Sequence, residues 1–256
     1  MKKTIFGFAF LAMLVVACKK EATITERFTP APEGNANVKF LNFATNAPAL
    51  NFFVNGTKVS GAAAASNGSV TGISYGSIFP STVAYVSVPA GSVKIDGTVI
   101  ESSTVMPGAA LSSATQTLAP GKFYTYALVD TFTQASGVLI EDDLSIDMPT
   151  KAYVRMANFA SDSSVTVTIT KTSPTNEFAY TRNFTGIAPK TVTSFDTVSA
   201  GASQVYTVTY KRVSNGATLA TASTTFTPAR AKKYTFYLAG QTRASTTLKS
   251  SFYTHN

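Results

Sequence analysis

The sequence predicts an all-β fold with two tandem immunoglobulin-like or transthyretin-like β-sandwich domains behind a cleaved N-terminal signal. Three observations predict it. Threonine, serine, valine and tyrosine are abundant and only 13% of residues are charged, a composition that favours strands. Four sequence blocks recur in the same order in the two halves of the chain. The only cysteine follows directly after an apolar run near the N-terminus.

The first element is the N-terminal signal, residues 1–17. A basic start, Met1-Lys2-Lys3, precedes a stretch from Ile5 to Ala17 that is apolar apart from one glycine. A permanent transmembrane helix needs about 20 apolar residues, so this stretch is too short to be one. Its length and flanking charge are typical of a secretory signal peptide.

The second element is the cysteine. The order Val15-Val16-Ala17-Cys18 resembles the lipobox of bacterial lipoproteins, in which the cysteine sulfur receives a diacylglycerol and becomes the first residue after cleavage. Buried acyl chains contribute about 0.8 kcal/mol per methylene, so several chains anchor a protein durably. The resemblance implies lipidation, such as palmitate, at Cys18. The alternative is an ordinary cleaved signal with an incidental cysteine. Lys19 stands where an aspartate would imply retention at the inner membrane, which favours the outer membrane, on its periplasmic or its surface side.

A duplicated module follows. Four pairs of blocks align at offsets of 116, 110, 108 and 110 residues: 38–45 with 154–161, 88–91 with 198–201, 117–120 with 225–228, and 124–128 with 234–238. Such a repeat of about 110 residues has the usual size of one domain. We therefore expect a first β-sandwich over 37–140 and a second over 151–256. Residues 18–36, polar with prolines, are expected to be a lipidated flexible tether, and residues 141–150 a linker.

Each copy shows strand periodicity and turn signals. Residues 164–170 and 205–210 alternate apolar and hydroxyl side chains, as strands with one buried face do. Asn55-Gly56, Asp96-Gly97 and Asn215-Gly216 predict type I′ turns, because both central residues of that turn need positive φ. Ala90-Gly91 and Pro120-Gly121 predict further turns. Short strands with regular turns indicate a sandwich.

The three segments VKFLNFATNAPALNFFVNG, YVSVPAG and LAPGKFYTYALVD resemble a tandem bacterial family, the domain of unknown function numbered 4397. That family is common in lipoproteins and surface proteins of Bacteroidetes-type bacteria. The first copy resembles it over about 37–140 and the second, more divergent, over about 151–244. The resemblance implies a β-sandwich module of the cell envelope and no catalytic residues.

The residue inventory offers little for catalysis. The only histidine, His255, stands next to the C-terminus, where residues are usually frayed. Serine or cysteine catalysis therefore lacks its base, zinc lacks ligands, and no cofactor is expected. A glycosidase with two carboxylates stays open only in principle. We expect a non-enzymatic envelope lipoprotein, a structural or adhesive binding module. The alternative is a glycan-binding accessory lipoprotein of a nutrient-uptake system.

Several residues are candidates for binding or modification. Tyr75, Phe79 and Tyr85 surround a glycine-containing loop and are the candidate glycan-contact aromatics, although packing is the commoner role of such side chains. Asp196-Thr197-Val198 resembles an O-glycosylation signal of exported proteins, which makes Thr197 the candidate modified residue. Asn42 and Asn158 hold equivalent positions and are expected to bond turn backbone.

The acidic stretch 141–147 supplies oxygens that a hard cation could use, but its spacing matches no EF-hand loop, and a solvated linker is the expected state.

Charge is unevenly divided. Residues 19–150 contain 7 basic and 10 acidic residues, and residues 151–256 contain 12 and 3, which gives −3 and +9. The second half therefore presents either a solvated basic surface or one that rests against anionic lipid or acidic glycan. Expected partners are the membrane, through the lipid anchor, and a glycan or another envelope protein. A nucleic-acid partner is not expected, because no nucleic-acid-binding motif is present.

Overall fold

The computed structural model describes residues 32–61, 71–173 and 181–256 of the chain. The predicted signal 1–17, Cys18 and most of the predicted tether 18–36 lie outside the described residues. Within the described ranges the chain is nearly all β, as predicted, and contains no α-helix. Two short 3-10 turns are present, Phe132–Gln134 and Ser245–Thr247.

In the described residues of the first module, 32–61 and 71–141, there are nine strands. They are β1 (Asn35–Asn42), β2 (Leu50–Val54), β3 (Thr57–Lys58), β4 (Ser77–Phe79), β5 (Val86–Pro89), β6 (Gly91–Val99), β7 (Ala110–Leu118), β8 (Phe123–Val129) and β9 (Ser136–Glu141). The second module has nine more strands in its described parts, 151–173 and 181–256. They are β10 (Lys151–Ala160), β11 (Val165–Ser173), β12 (Thr181–Ile187), β13 (Thr191–Val192), β14 (Asp196–Ser199), β15 (Val205–Arg212), β16 (Thr218–Phe226), β17 (Lys233–Gly240) and β18 (Lys249–Thr254).

Each module is a sandwich of two sheets, and the two modules share one topology. In the first, the inner sheet has the order β4-β1-β8-β9 with β5 also on β1, and the outer sheet has the order β3-β2-β6-β7. In the second, the inner sheet is β13-β10-β17-β18 with β14 on β10, and the outer sheet is β12-β11-β15-β16. The parallel pair at the centre of each inner sheet, β1 with β8 and β10 with β17, also recurs. The repeated blocks of the sequence therefore correspond to a repeated fold.

Three apolar clusters lie between the four sheets. Val38 and Phe40 of β1 contribute to the core of the first sandwich, and the corresponding face of β10 contributes to the core of the second. The opposite faces of the inner sheets form a third cluster with residues from both modules. Strands β1 and β10 are consequently buried on both sides, along almost their whole length. The molecule is a stack of four layers in the order outer, inner, inner, outer.

The turn predictions are partly confirmed. Asn55 and Gly56 both have positive φ, 49° and 78°, as a type I′ turn requires. The prediction for Asp96-Gly97 is wrong, because both residues lie inside β6. Gly97 is buried there, and a Cβ atom on it would lie 3.3 Å from Leu128 Cδ2, so this glycine permits close packing of the two sheets. At Asn215-Gly216 only the glycine has positive φ, so the turn is not type I′.

Candidate functional site at the interface between the modules

The centre of the interface between the two inner sheets is apolar. Phe43, directly after β1, and Phe159 in β10 lie with ring centroids 5.5 Å apart, and the ring of Phe43 also lies 4.5 Å from that of Tyr237. The other buried members are Leu41, Ala127, Val129, Ala157, Ala239 and Tyr253. Small residues on β8 and β17 allow the two sheets to approach closely around the aromatic rings. Burial of this face stabilises the docked pair of modules.

A buried polar cluster lies beside this apolar centre. Its members are Thr125, Asp142, Arg155, Thr235 and His255, each at most 3% exposed. They come from β8, β10 and β17 and from the residues that directly follow β9 and β18. Polar groups buried this deeply are costly unless each finds a partner.

Hydrogen bonds join four members of the cluster and Tyr85 into a closed ring across the interface. Arg155 Nε donates to Thr235 Oγ1 at 2.7 Å, and Thr235 Oγ1 lies 2.6 Å from His255 Nε2. His255 Nδ1 lies 2.5 Å from the hydroxyl of Tyr85, which donates to Asp142 Oδ2 at 2.9 Å. Arg155 Nη2 donates to Asp142 Oδ1 and closes the ring. We call this set of five residues, Tyr85, Asp142, Arg155, Thr235 and His255, the interface ring.

The electrostatics of the interface ring fix its protons. Burial lowers the pKa of His255 to about 3, so the imidazole is neutral at pH 7. Because Tyr85 gives its single proton to Asp142, His255 carries its own proton on Nδ1 and accepts from the hydroxyl of Thr235 at Nε2. Burial raises the pKa of Asp142, but the charge of Arg155 and the hydrogen bonds from Arg155 and Thr125 together outweigh burial, and the pKa lies below its usual value. One carboxylate and one guanidinium therefore face each other inside the interface.

The polar cluster has a near-twofold character that follows from the duplication. In the first module, Thr125 donates to Asp142 at 2.7 Å. In the second module, the equivalent residues are Thr235 and His255, and they lie 2.6 Å apart. The amide of Asp142 bonds Phe123 O at 2.7 Å and that of His255 bonds Lys233 O at 2.9 Å, which fixes this equivalence. Two further pairs of equivalent residues repeat a cation–π contact: Lys39 lies over Tyr85 at 4.9 Å, and Arg155 over Phe195 at 4.7 Å.

Lys39, the equivalent of Arg155, has a different set of partners. It is fully buried, and its Nζ atom donates to the carbonyl oxygens of Pro80, Thr82 and Ala84 at 3.3, 2.8 and 2.7 Å. Burial lowers the pKa of Lys39 to about 8, against the opposing effect of Asp142. The loop that supplies these carbonyls, 80–84, joins β4 to β5. The matching connection, between β13 and β14, has three residues where the one between β4 and β5 has six, so Arg155 is left free to reach Asp142.

Two polar contacts flank the interface. Lys190 of the second module donates to Asp130 of the first at 2.6 Å. On the other side the hydroxyl of Tyr75 donates to the carbonyl of Thr247 at 2.5 Å. Gly240 lies next to that contact, where a Cβ atom would be 2.5 Å from Thr247 O and 2.7 Å from Tyr75 Oη. These contacts add polar links between the two modules beside the apolar centre.

An aspartate, a histidine and a hydroxyl in one hydrogen-bonded set resemble the parts of a nucleophilic triad. Here the hydroxyl of Thr235 accepts from Arg155 and donates to His255, and both Thr235 and His255 are 0% exposed. A substrate cannot reach the oxygen in this arrangement. The chemistry that the geometry supports is the pairing of two protein surfaces.

Two sequence-based expectations are wrong at this site. His255 is not frayed, because its backbone pairs with Lys233 and its ring lies within the interface. Asp142 is not a solvated linker residue but is 2% exposed and bonded to Arg155. Its neighbours Glu141 and Asp143 point outward, as strand alternation requires. Within the described residues no group of three acidic, histidine or cysteine side chains could hold a metal ion.

The candidate glycan-contact aromatics do not form a common exposed surface. All three are half-buried. Tyr75 bonds Thr247, Phe79 packs against the first core, and Tyr85 belongs to the interface ring. Each therefore has a packing or bonding role inside the protein, and the glycan alternative loses the support that these side chains gave it.

The remaining candidates lie away from the interface ring. Thr197 is half-buried in β14, and the preceding Asp196 forms an ion pair with Arg182.

Asn42 donates to Ile73 O, and Asn158 donates to Ser163 O and Ile187 O, so both asparagines bond backbone as expected. Cys18 lies outside the described residues.

A groove of about 450 Å³ opens beside the interface, between the two modules. Its first-module side is formed by 76–78 and 81–83, and its second-module side by Phe252, Tyr253 and Thr254. Serine and threonine hydroxyls alternate with apolar side chains along it, and Val83 at its edge is 44% exposed. The groove exists only because the modules are docked.

The interface ring could not be seen in the aligned blocks, although two signals for it were present. The aligned segments VKFLNF and VRMANF both place a basic residue, Lys39 or Arg155, among buried apolar residues of a strand. Charged residues are almost never fully buried unless they are paired. The partners stand after β9 and β18, beyond the last pair of repeated blocks, so the alignment of the copies did not reach Asp142 and His255.

Among the described residues, no helix has the length and apolar character needed to cross a membrane.

A family model described as "Domain of unknown function (DUF4397)" matches residues 36–170 of the chain. No curated protein matches it in sequence. Among solved structures, a "putative cell adhesion protein" from Bacteroides uniformis is similar, at 10% identity and a TM-score of 0.21, over 86% of this chain and 97% of that one. A similarity at this level establishes neither the fold nor the function of the chain.

Proposed function

Since the chain belongs to the DUF4397 family, whose model matches just over half of its residues, we propose that it is a non-enzymatic lipoprotein of the cell envelope. In this proposal Cys18 carries the lipid at the outer membrane. The two docked modules form a structural or adhesive binding unit beyond it. Its partner is another envelope protein or a glycan.

The observation that carries the proposal is the buried interface between the modules. Asp142 and Arg155 pair inside it, and aromatic side chains from both modules fill its centre. A protein that transmits a contact from a membrane anchor to a partner benefits from such a rigid connection, because a fixed geometry reduces the entropy lost on binding. The only histidine of the chain, His255, is buried in the interface ring, where it has a structural role.

The lipid anchor is supported by the lipobox-like order Val15-Val16-Ala17-Cys18. Its test is metabolic labelling with palmitate in a Gram-negative host. The wild-type chain is expected to take up label and to fractionate with the outer membrane. The Cys18→Ala variant is expected to lose the label and to accumulate as unprocessed precursor. Equal labelling of both chains would refute acylation at this site.

The binding role is tested with the soluble chain that begins at Lys19. It is applied to immobilised envelope extract and, in parallel, to a glycan array. The expected result is saturable binding that is lost when docking is broken by Asp142→Leu, because the groove between the modules is then lost. Binding that is unchanged by this substitution would place the partner on a single module. No saturable binding to either probe would remove the adhesive role.

A further inference from the structure

The interface brings equivalent residues of the two modules together. Phe43 and Phe159 occupy the same position in the repeat and contact each other. Asp142 and His255 are also equivalent, and Asp142 Oδ2 lies 3.6 Å from His255 Nδ1. In an interface between identical subunits, contacts between equivalent residues mark a twofold axis. The inner faces of the two modules therefore meet about a near-twofold axis.

The charges on this surface are not symmetric. The first module offers Asp142 beside the apolar centre, and its basic residue Lys39 is held by three carbonyls of its own loop. The second module offers His255 at the same place, and its basic residue Arg155 crosses the interface to Asp142. The two faces share the same arrangement of strands but carry complementary charge.

Pairs of like modules would lose this complementarity. Two first modules would set one Asp142 against another in a dry environment, where two carboxylates cannot both stay ionised. Two second modules would bury two Arg155 guanidinium groups with no carboxylate between them, and a buried charge without a partner is strongly destabilising. Only a first module with a second module supplies one carboxylate, one guanidinium and a neutral histidine.

We propose that the inner face is a docking surface specific for the unlike module, and that it accepts this module from a second copy of the chain as readily as from its own. Asp142, Arg155 and His255 determine this specificity. Within one chain the linker keeps the local concentration of the partner module high, so the monomer dominates. Exchange between chains becomes dominant when the pairing within each chain is damaged. The inference is independent of the lipid anchor and of the adhesive role.

The test uses two variants of the soluble chain that begins at Lys19. Arg155→Met damages the second module and leaves the first intact, and Asp142→Leu does the reverse. Mixed together, the intact first module of one chain can dock with the intact second module of the other. The two damaged modules then meet through their substituted side chains, an apolar pair without a buried charge, which is tolerated far better than a lone charge.

The measurement is mass by light scattering after size-exclusion chromatography, with each variant first checked for β-sheet circular dichroism. Each variant alone is expected to run as a monomer, and the equimolar mixture is expected to shift to twice that mass. A mixture that stays monomeric would overturn the proposal. Self-association of one variant to the same extent as the mixture would overturn the specificity for unlike modules.

A milder pair, Arg155→Gln with Asp142→Asn, guards against loss of folding in the first pair. These substitutions keep the side chains polar and remove the charge. The same twofold increase in mass is expected for their mixture. Lys122→Met mixed with Asp143→Asn is the matched control, because both residues are exposed at the surface next to the interface. That mixture is expected to stay monomeric, and dimerisation in it would also count against the proposal.

Discussion

Phe43 and Phe159, which hold the same position in the two copies of the module, pack against each other at the centre of the molecule with ring centroids 5.5 Å apart. Each ring is almost fully buried, at 0% and 1% exposure. The contact joins two sandwiches that each have a core of their own. A substitution of Phe43 or Phe159 therefore weakens docking and leaves both cores in place.

We predict that Phe43→Ala lowers the free energy of unfolding by about 3 kcal/mol or more, as is usual when a buried phenylalanine is truncated. The measurement is urea denaturation followed by circular dichroism. Phe53→Ala is the matched control, because Phe53 is half-buried on the outer sheet and away from the interface. We expect a clearly smaller loss there. An equal loss in both variants would show that the interface is no more important than the outer surface.

We predict that Asp142→Asn destabilises the protein by about 3–5 kcal/mol, because it leaves the buried guanidinium of Arg155 without its charge partner. Asp143→Asn changes the neighbouring exposed carboxylate and is expected to cost far less. Thermal unfolding of both variants at pH 7 checks this difference. Comparable unfolding midpoints for the two variants would contradict the assignment of Asp142 as the buried charge partner of Arg155.

The stability is predicted to fall as the pH is lowered below about 6.5. An unfolded histidine titrates near 6.5, whereas burial lowers the pKa of His255 to about 3 in the folded chain. Between these values the unfolded chain binds one proton that the folded chain does not. The free energy of unfolding therefore falls by about 1.4 kcal/mol per pH unit from this residue alone.

The measurement compares wild type with His255→Asn at pH values from about 6.5 to about 4.5, where most carboxylates are still ionised. Asparagine has the same kind of donor and acceptor but does not titrate. The variant is expected to show a flatter dependence on pH. Parallel curves for the two proteins would mean that His255 is accessible to protons in the folded state.

Lys39→Met is predicted to loosen the loop 80–84, because three backbone carbonyls lose their shared donor. Hydrogen exchange measured by mass spectrometry is expected to show faster exchange in peptides that cover this loop and Tyr85. Lys58→Met, at an exposed position of the outer sheet, is the control and should leave the loop unchanged. Unaltered exchange in the Lys39 variant would mean that the loop is held by other contacts.

Much of the fold could be predicted because it follows from local pattern. Period-two alternation in 164–170 and 205–210 marks strands whose inner faces lie in the second core, and the repeated blocks mark a repeated topology. The Asn55-Gly56 turn was predicted because its backbone needs are local. The turn prediction for Asp96-Gly97 failed because the role of Gly97 is not local: this glycine packs against Leu128 of another sheet.

The site could not be predicted because it depends on how two folded modules meet. Nothing in the sequence near His255 shows that Tyr85, 170 positions earlier, is its partner. Tyr75 and Tyr85 were candidate glycan contacts, and the sequence could not show that their hydroxyl groups bond Thr247 and His255 of the second module. The local signal in the sequence was a basic residue inside an apolar strand, Lys39 in β1 and Arg155 in β10. Of these two, Arg155 forms the buried ion pair with Asp142.

The account depends most on the two modules forming one docked unit. The most direct measurement is urea unfolding of the soluble chain, followed by far-ultraviolet circular dichroism and by tyrosine fluorescence. We predict a single transition with the same midpoint for both probes, because neither module keeps its buried inner face covered without the other. Two separate transitions in the wild-type chain, unchanged by Asp142→Asn, would contradict the account.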